Sequence, residues 1–347
     1  MKLKEIVEIC YGKNQKQVEV EKSDIPILGT GGVIGYSSMS LYDKESVLIG
    51  RKGTIGMPFY VNKPFWTIDT LFYTKINTNI VIPKYLYYLL CTIGLSRYSE
   101  GAAVPSLTTK TLYEIDLNVP SKDIQQHIVN TIGSVDDLIE NYQKRINRIC
   151  TILSISLRKY DEKVPIEYYK PKIIKSGIVK FDKTKVYTDT STIEGINNMS
   201  DGEIITFSKR PSRANMQPIK NSVWFAKMKG SNKKLIIADN DFDLINDYIL
   251  STGYLGVEAS SRLPLSLLSA IIISDDFNEQ RDLNSVGTTM AGVNNETFLK
   301  ILVPKLGDNE IKNYESKYST LIKELSLLRK KINELKIIKS KLLDKYF

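Results

Sequence analysis

At 347 residues, with 42% hydrophobic and 25% charged content, the chain is neither disordered nor fibrous in composition, and it is too long for one ordinary domain of about 150 residues. Lys and Arg outnumber Asp and Glu by 48 to 39, and the resulting formal charge of +9 invites a polyanionic partner without naming one. Cys10, Cys91 and Cys150 are odd in number, far apart and without histidine neighbours, which argues against a disulfide framework or a zinc site. No apolar run approaches the roughly 18 residues of a membrane span and Met1 to Cys10 lacks a signal-peptide core, so a cytoplasmic chain without a membrane partner is expected.

Residues 1–120 read as a strand-rich first domain. Short apolar runs such as Ile25 to Leu28, Ser46 to Ile49 and Leu71 to Ile76 are bounded by glycine, proline and asparagine. Pro83 to Leu95 breaks that rhythm, because Tyr85, Leu86, Leu89, Leu90 and Ile93 share one helical face behind an N-terminal proline. Ser121 then caps a long helix, expected over 121–161, whose apolar residues alternate at spacings of three and four: Ile128, Ile132, Val135, Ile139, Tyr142, Ile146, Ile149, Leu153 and Tyr160. Pro165 and Pro171 close it off. A second strand-rich domain is expected over 162–307, with one amphipathic helix around Asp241 to Ser251. A second long helix, 308–347, repeats the spacing at Ile311, Tyr314, Tyr318, Leu321, Leu325, Leu328, Ile332, Leu335 and Leu342, broken only at Lys339.

The halves echo one another. Val47-Leu-Ile-Gly-Arg51-Lys52-Gly53-Thr54 returns as Val223-Trp-Phe-Ala-Lys227-Met-Lys229-Gly-Ser231 with one residue inserted, and Gly101 to Leu112 returns as Gly287 to Phe298. Val119-Pro120 and Val303-Pro304 precede the two long helices. The offsets of 176, 186 and 184 residues mark one unit of about 175 residues written twice. A helix returning from the second domain must run antiparallel to the first, so the expectation is an α+β protein. Two globular domains are separated by an antiparallel intramolecular coiled coil about 50 Å long, related by a pseudo-twofold axis.

Catalytic signals are weak. Gly29-Thr-Gly-Gly-Val-Ile-Gly35 fits neither dinucleotide nor P-loop spacing and reads as a tight turn near a bound backbone. Asp239-Asn-Asp241-Phe-Asp243 opens like a calcium loop but has Leu244 and Leu250 where glycine and glutamate are required, and reads as a solvated helix start. His127 is the only histidine, and Asn118-Val-Pro-Ser121 has the wrong order for an adenine-methyltransferase motif. No nucleophile, metal or cofactor motif points to an enzyme. Basic loops are stronger: Arg51, Lys52 and Thr54 follow a strand, and Lys209 to Lys234 holds eight basic residues and no acidic one. Within that run Lys209, Arg210, Arg213, Asn215, Lys227 and Lys229 mix phosphate-binding cations with a base-reading amide. A merely solvated loop is the competing reading in both places.

Leu48 to Gly56, Val119-Pro120 with Gln125, Gln126 and Ile128, and Gly287-Thr-Thr-Met290 before Val303-Pro304 together resemble the specificity subunit of a type I restriction-modification system. The second long helix departs from the pattern, having Asn309-Glu310-Ile311 in place of the paired glutamines. The resemblance implies a non-catalytic chain that reads a bipartite target in double-stranded DNA, one half-site per domain, with a spacer set by the coiled coil. Two adenine-methyltransferase subunits and motor-nuclease subunits are the implied partners, and S-adenosylmethionine, ATP and magnesium belong to them rather than to this chain. A coiled-coil adaptor binding other proteins through its two end domains is the alternative; it leaves the acid-free basic run unexplained.

Overall fold

The computed structural model describes residues 1–53, 55–101, 105–200, 202–288 and 291–347. The chain forms two compact units, Met1–Leu138 with Leu335–Phe347, and Ile139–Glu334. Helix and sheet are mixed in both, as an α+β reading requires.

In the first unit the central sheet is antiparallel and runs Val7–Tyr11, Leu71–Ile76, Ser46–Gly50, Phe59–Val61. Ser46–Gly50 has no exposed side chain, which is why its sequence lacks an alternating pattern. The Pro83–Thr92 helix packs Leu86 and Leu89 with Val47 and Ile49 in one apolar core. A second sheet runs Glu19–Val20, Gly32–Ser37, Ile25–Gly29, Trp66–Thr67.

In the second unit the central sheet repeats that plan: Lys172–Ile173, Tyr254–Glu258, Ser222–Ala226, Lys234–Ile237, again antiparallel throughout. Ser222–Ala226, the echo of Ser46–Gly50, is also buried at every position. The Leu265–Ile273 helix stands where Pro83–Thr92 stands in the first order of elements, and its Leu267, Leu268 and Ile271 join Val223 and Phe225 in the core. The short helices Thr109–Tyr113 and Asn295–Leu299 also correspond. Each is capped by the residue before it, Thr108 accepting from the Thr111 amide and Asn294 from the Thr297 amide. The second sheets do not correspond: this one runs Glu203–Ile205, Lys185–Thr188, Tyr248–Ser251, Ala214–Met216. The amphipathic helix expected over Asp241 to Ser251 is a correction, for the helix covers Phe242–Asp247 and Tyr248–Ser251 is a strand. Its apolar residues satisfied a helical period, but pairing with Lys185–Thr188 decided the conformation.

The long helices are Lys122–Ser156 and Asp308–Tyr346. In the first unit Ile128, Ile132 and Val135 are buried, Leu335 is half-buried, and Leu342 and Tyr346 pack on the core that holds Ile128 and Ile132. His127 Nε2 lies 3.3 Å from the Tyr346 hydroxyl, while Asp136 meets Lys339 at 2.7 Å. The one interruption of the apolar seam is thus an ion pair, with Lys339 also over the rings of Tyr87 and Tyr88. In the second unit Ile146, Ile149 and Leu153 share a core with Ile311, Leu325, Leu328 and Ile332, with Ile139, Tyr142, Tyr318 and Leu321 packed against it. There Arg145 pairs with Glu324 and Ser156 with Tyr314. Within each unit numbers fall along one helix as they rise along the other, so the paired segments are antiparallel.

Gln125 is fully buried. Its side-chain amide donates to the carbonyls of Ile80 (3.0 Å) and Pro120 (2.8 Å) and accepts from the Ile82 N–H (2.8 Å), latching the helix start to the preceding turn. A second buried latch corrects the solvated reading at Asp241 and Asp243, while Asp239, Asn240 and Phe242 are exposed as expected. Asp241 is 0% exposed and Arg329 1%; the Arg329 guanidinium donates to Asp241 at 2.8 Å and to both oxygens of Asp243 at 2.9 Å. Burial works against the Asp243 charge, yet the Arg329 hydrogen bonds and positive charge hold its carboxyl below the usual range. Arg329→Met strands the buried Asp241 carboxylate, and we expect a loss of about 3–5 kcal/mol in urea unfolding of the full chain, partly recovered by adding Asp241→Asn. A loss below about 1 kcal/mol would show that the pair carries little.

Candidate nucleic-acid interface

Both central strands end in a cation at the same structural place. In the first unit the Arg51 N–H donates to the Thr70 carbonyl (2.8 Å), and the Arg51 carbonyl accepts from the Leu107 N–H (2.9 Å). In the second the Lys227 N–H donates to the Gly253 carbonyl (2.9 Å), and the Lys227 carbonyl accepts from the Val293 N–H (3.0 Å). The next residues form equivalent bridges, Lys52 with Ser106 and Met228 with Gly292, while Ser106 and Gly292 in turn pair with Glu100 and Val286. A Cβ on Gly292 would lie 2.8 Å from the Lys227 carbonyl oxygen, so a side chain there would force the two backbones apart in this unit, where the first unit accommodates Ser106.

The side chains at these exits differ. Arg51 is half-buried, its guanidinium 5.2 Å from the Tyr11 ring centre and its Nη1 donating to the Asp69 carbonyl at 3.3 Å. Lys52 is exposed, and Thr54 lies outside the described residues. Beside them stands the Gly-rich turn, since a Cβ on Gly53 would meet Thr30 Oγ1 at 3.3 Å.

In the second unit Lys227 Nζ donates to the Thr252 carbonyl (2.9 Å), and the Thr252 N–H donates to the Arg213 carbonyl (2.8 Å). Thr252 therefore joins the strand exit to the basic loop. Burial, then the neighbouring Arg213 charge, depress the Lys227 amine. Arg213 and Lys229 are exposed. Arg210 stacks 4.1 Å over Phe207, which meets Phe181 edge-on, and Lys209 is exposed. Asn215 donates to Ser176 Oγ at 2.8 Å. A depression of about 210 Å³ beside Lys227 is lined by Lys175, Ser176, Thr252 and Asn295, polar groups that no pattern in the sequence singles out.

Folding also changes the charge inventory of the basic run. The Asp282 carboxylate accepts from the Gly230 N–H at 3.0 Å, so the run has an acidic neighbour that is remote in sequence. Lys233 donates to the Thr190 carbonyl. Lys234 is 0% exposed, and its amine has no hydrogen-bond partner among the described residues. Burial first, then the charge of Arg281, push that amine down to about 7 from 10.5. Between those values the unfolded chain binds a proton the folded chain does not, so stability rises with pH across the window. Lys234→Met should therefore stabilise the protein by on the order of 1–3 kcal/mol at pH 7, with the gain shrinking toward pH 10. Urea midpoints at the two pH values check this; a gain independent of pH contradicts it.

Among the described residues no helix is long and apolar enough to cross a membrane. Residues 1–151 match the family model of the type I restriction modification DNA specificity domain. The type I restriction enzyme MjaIX specificity subunit of Methanocaldococcus jannaschii is 32% identical over 126 residues, 35% of this chain and 29% of the relative. The EcoprrI specificity subunit of Escherichia coli is 28% identical over 114 residues, 33% of this chain and 28% of the relative. The aligned stretch thus spans under a third of either curated relative. The crystal structure of a type I restriction-modification S subunit from M. genitalium matches with a TM-score of 0.54 at 14% identity, covering 100% of this chain and 95% of that one. The chain resembles the specificity subunits of type I restriction-modification systems, in sequence through a DNA specificity domain at residues 1–151 and in fold along its length.

Proposed function

We propose that this chain is a sequence-recognising, non-catalytic subunit that binds double-stranded DNA, one half of a bipartite target per unit. The observation that carries the reading is the duplicated strand exit. The same backbone clamp holds Arg51 in one unit and Lys227 in the other, so one scaffold presents a cation twice. A binder of two half-sites needs that arrangement, whereas an adaptor does not need matched cations. Arg51, Lys52, Thr54, Lys209, Arg210, Arg213, Asn215, Lys227 and Lys229 are the proposed DNA contacts. Lys52, Lys209, Arg213 and Lys229 are exposed and suited to phosphates. Arg51 and Lys227 are more restrained and suited to fixed donor positions.

In this reading two adenine-methyltransferase subunits dock on the chain and motor-nuclease subunits join for cleavage, all in the cytoplasm. S-adenosylmethionine, ATP and magnesium are held by those subunits, and no residue here is assigned to them. The long helices set the spacer between the half-sites.

Each phosphate contact releases counterions, so affinity should fall steeply with salt. Arg210→Ala with Arg213→Ala should weaken binding and reduce the slope of log affinity against log salt by up to about 2, measured by gel shift of the full chain with its methyltransferase. An unchanged slope removes both residues from the interface. Inserting one heptad into each long helix adds about 10 Å to each and should lengthen the spacer in the methylated motif; an unaltered spacer defeats the role given to the helices.

A further inference from the structure

Resting on the DNA-binding reading above, we propose that the hairpin Ile25–Ser37 of the first unit is the element that reads bases there, entering the major groove and placing Val33 and Ile34 on thymine methyl groups. Three features of the ribbon point the same way. Its strands, Ile25–Gly29 and Gly32–Ser37, pair with a register shift between Ile27 and Leu28: Ile27 faces Gly35 while Leu28 faces Val33, leaving Ile34 as the extra residue. That bulge cancels the alternation that would bury one of two successive residues, so Val33 is 59% exposed and Ile34 50%. Two adjacent apolar side chains are held in solvent by backbone geometry.

The tip is thin. Gly32 has φ +109°, which explains its lack of a side chain, but Gly31 has no such constraint and a Cβ there would meet no described residue within 4 Å. No described residue of the chain requires glycine at 31. A surface that comes close to the backbone from outside does require it.

Charge provides the third feature. From Ile25 to Tyr42 no residue is charged, so the ribbon's own tip carries no carboxylate; the nearest one on its flank is that of Glu19, from the neighbouring strand, beside Gly35. Its turn touches the loop that carries Arg51 and Lys52, through Thr30 beside Gly53. The major groove admits a two-stranded ribbon, and the 5-methyl of thymine is the apolar group that base edges offer there. The cations fix the phosphates while the ribbon enters between them. Among the described residues the second sheet of the second unit has a different strand order and no counterpart of this ribbon.

The test uses the full chain co-purified with its methyltransferase and a pool of random-sequence duplexes. The wild type should select a bipartite motif. Gly31→Ala and, separately, Val33→Ala with Ile34→Ala should lose at least about fivefold of the preference in one half of that motif and keep the other half, at an unchanged melting temperature. Replacing thymine by deoxyuridine in the affected half should weaken the wild type by a similar factor and leave the Val33→Ala, Ile34→Ala variant unaffected. Variants that select the wild-type motif with wild-type affinity overturn the hairpin assignment while base reading by the chain stands. Equal sensitivity of wild type and variant to deoxyuridine overturns the methyl contact. A wild-type complex that selects no motif overturns both this inference and the function on which it rests.

Discussion

The arrangement depends on how a fully buried strand is allowed to end. Ser46–Gly50 and Ser222–Ala226 bury every side chain, so each must leave its sheet at one defined residue. That residue is fixed on both sides by backbone hydrogen bonds, Thr70 and Leu107 around Arg51, Gly253 and Val293 around Lys227. Main-chain bonds do not depend on which side chain is present, so the position is rigid while its chemistry is free to vary. A charged residue there is oriented without the entropy cost that a cation on a flexible loop would incur on binding.

The same economy runs through the second sheets. Their strand orders differ between the units although the central sheets agree strand for strand. In one unit the second sheet supplies a charge-free, glycine-tipped ribbon beside the cationic exit. In the other, the loop between Glu203–Ile205 and Ala214–Met216 carries Lys209, Arg210 and Arg213 and meets the exit at Thr252. Two different surfaces are therefore mounted on two copies of the same central sheet, as the proposed reading of two unlike half-sites would demand.

Much of this frame was legible in the sequence because it rests on periodicity and repetition. The three-and-four spacing located both long helices, and the echo of Val47–Thr54 in Val223–Ser231 matched strands that prove structurally equivalent. What stayed hidden depended on partners distant in the chain. Asp241 looked solvated because the cation that buries it, Arg329, lies 88 residues away. Lys234 looked like part of a basic surface, yet it opens a strand whose four residues are all buried. The helix projected through Ser251 failed because strand pairing with Lys185–Thr188 outweighed local period. On the second long helix the seam was visible, but the buried side of the helix extends beyond it to Ile322, Ser326 and Arg329, and Ser326 and Arg329 were unreadable because polar residues at that spacing normally face water.

That second face bears on how the second unit holds its shape. A seam of leucines and isoleucines is non-directional and tolerates sliding of one helix along another by a heptad. The Arg329 guanidinium tolerates none, since its planar fork fits the carboxylates of Asp241 and Asp243, two residues apart at the start of a short helix. Ser326 adds a further hydrogen bond to Asp241, one turn away from Arg329. Apolar contact supplies the affinity between this helix and its surroundings, and the buried ion pair supplies the register. The two exits show the complementary choice: Arg51, a fork, is held by a carbonyl and an aromatic ring, and Lys227, a point charge, by a single carbonyl. With the backbone position equal, that difference in donor geometry would, under the proposed DNA-binding function, be one physical means for matched units to prefer different bases.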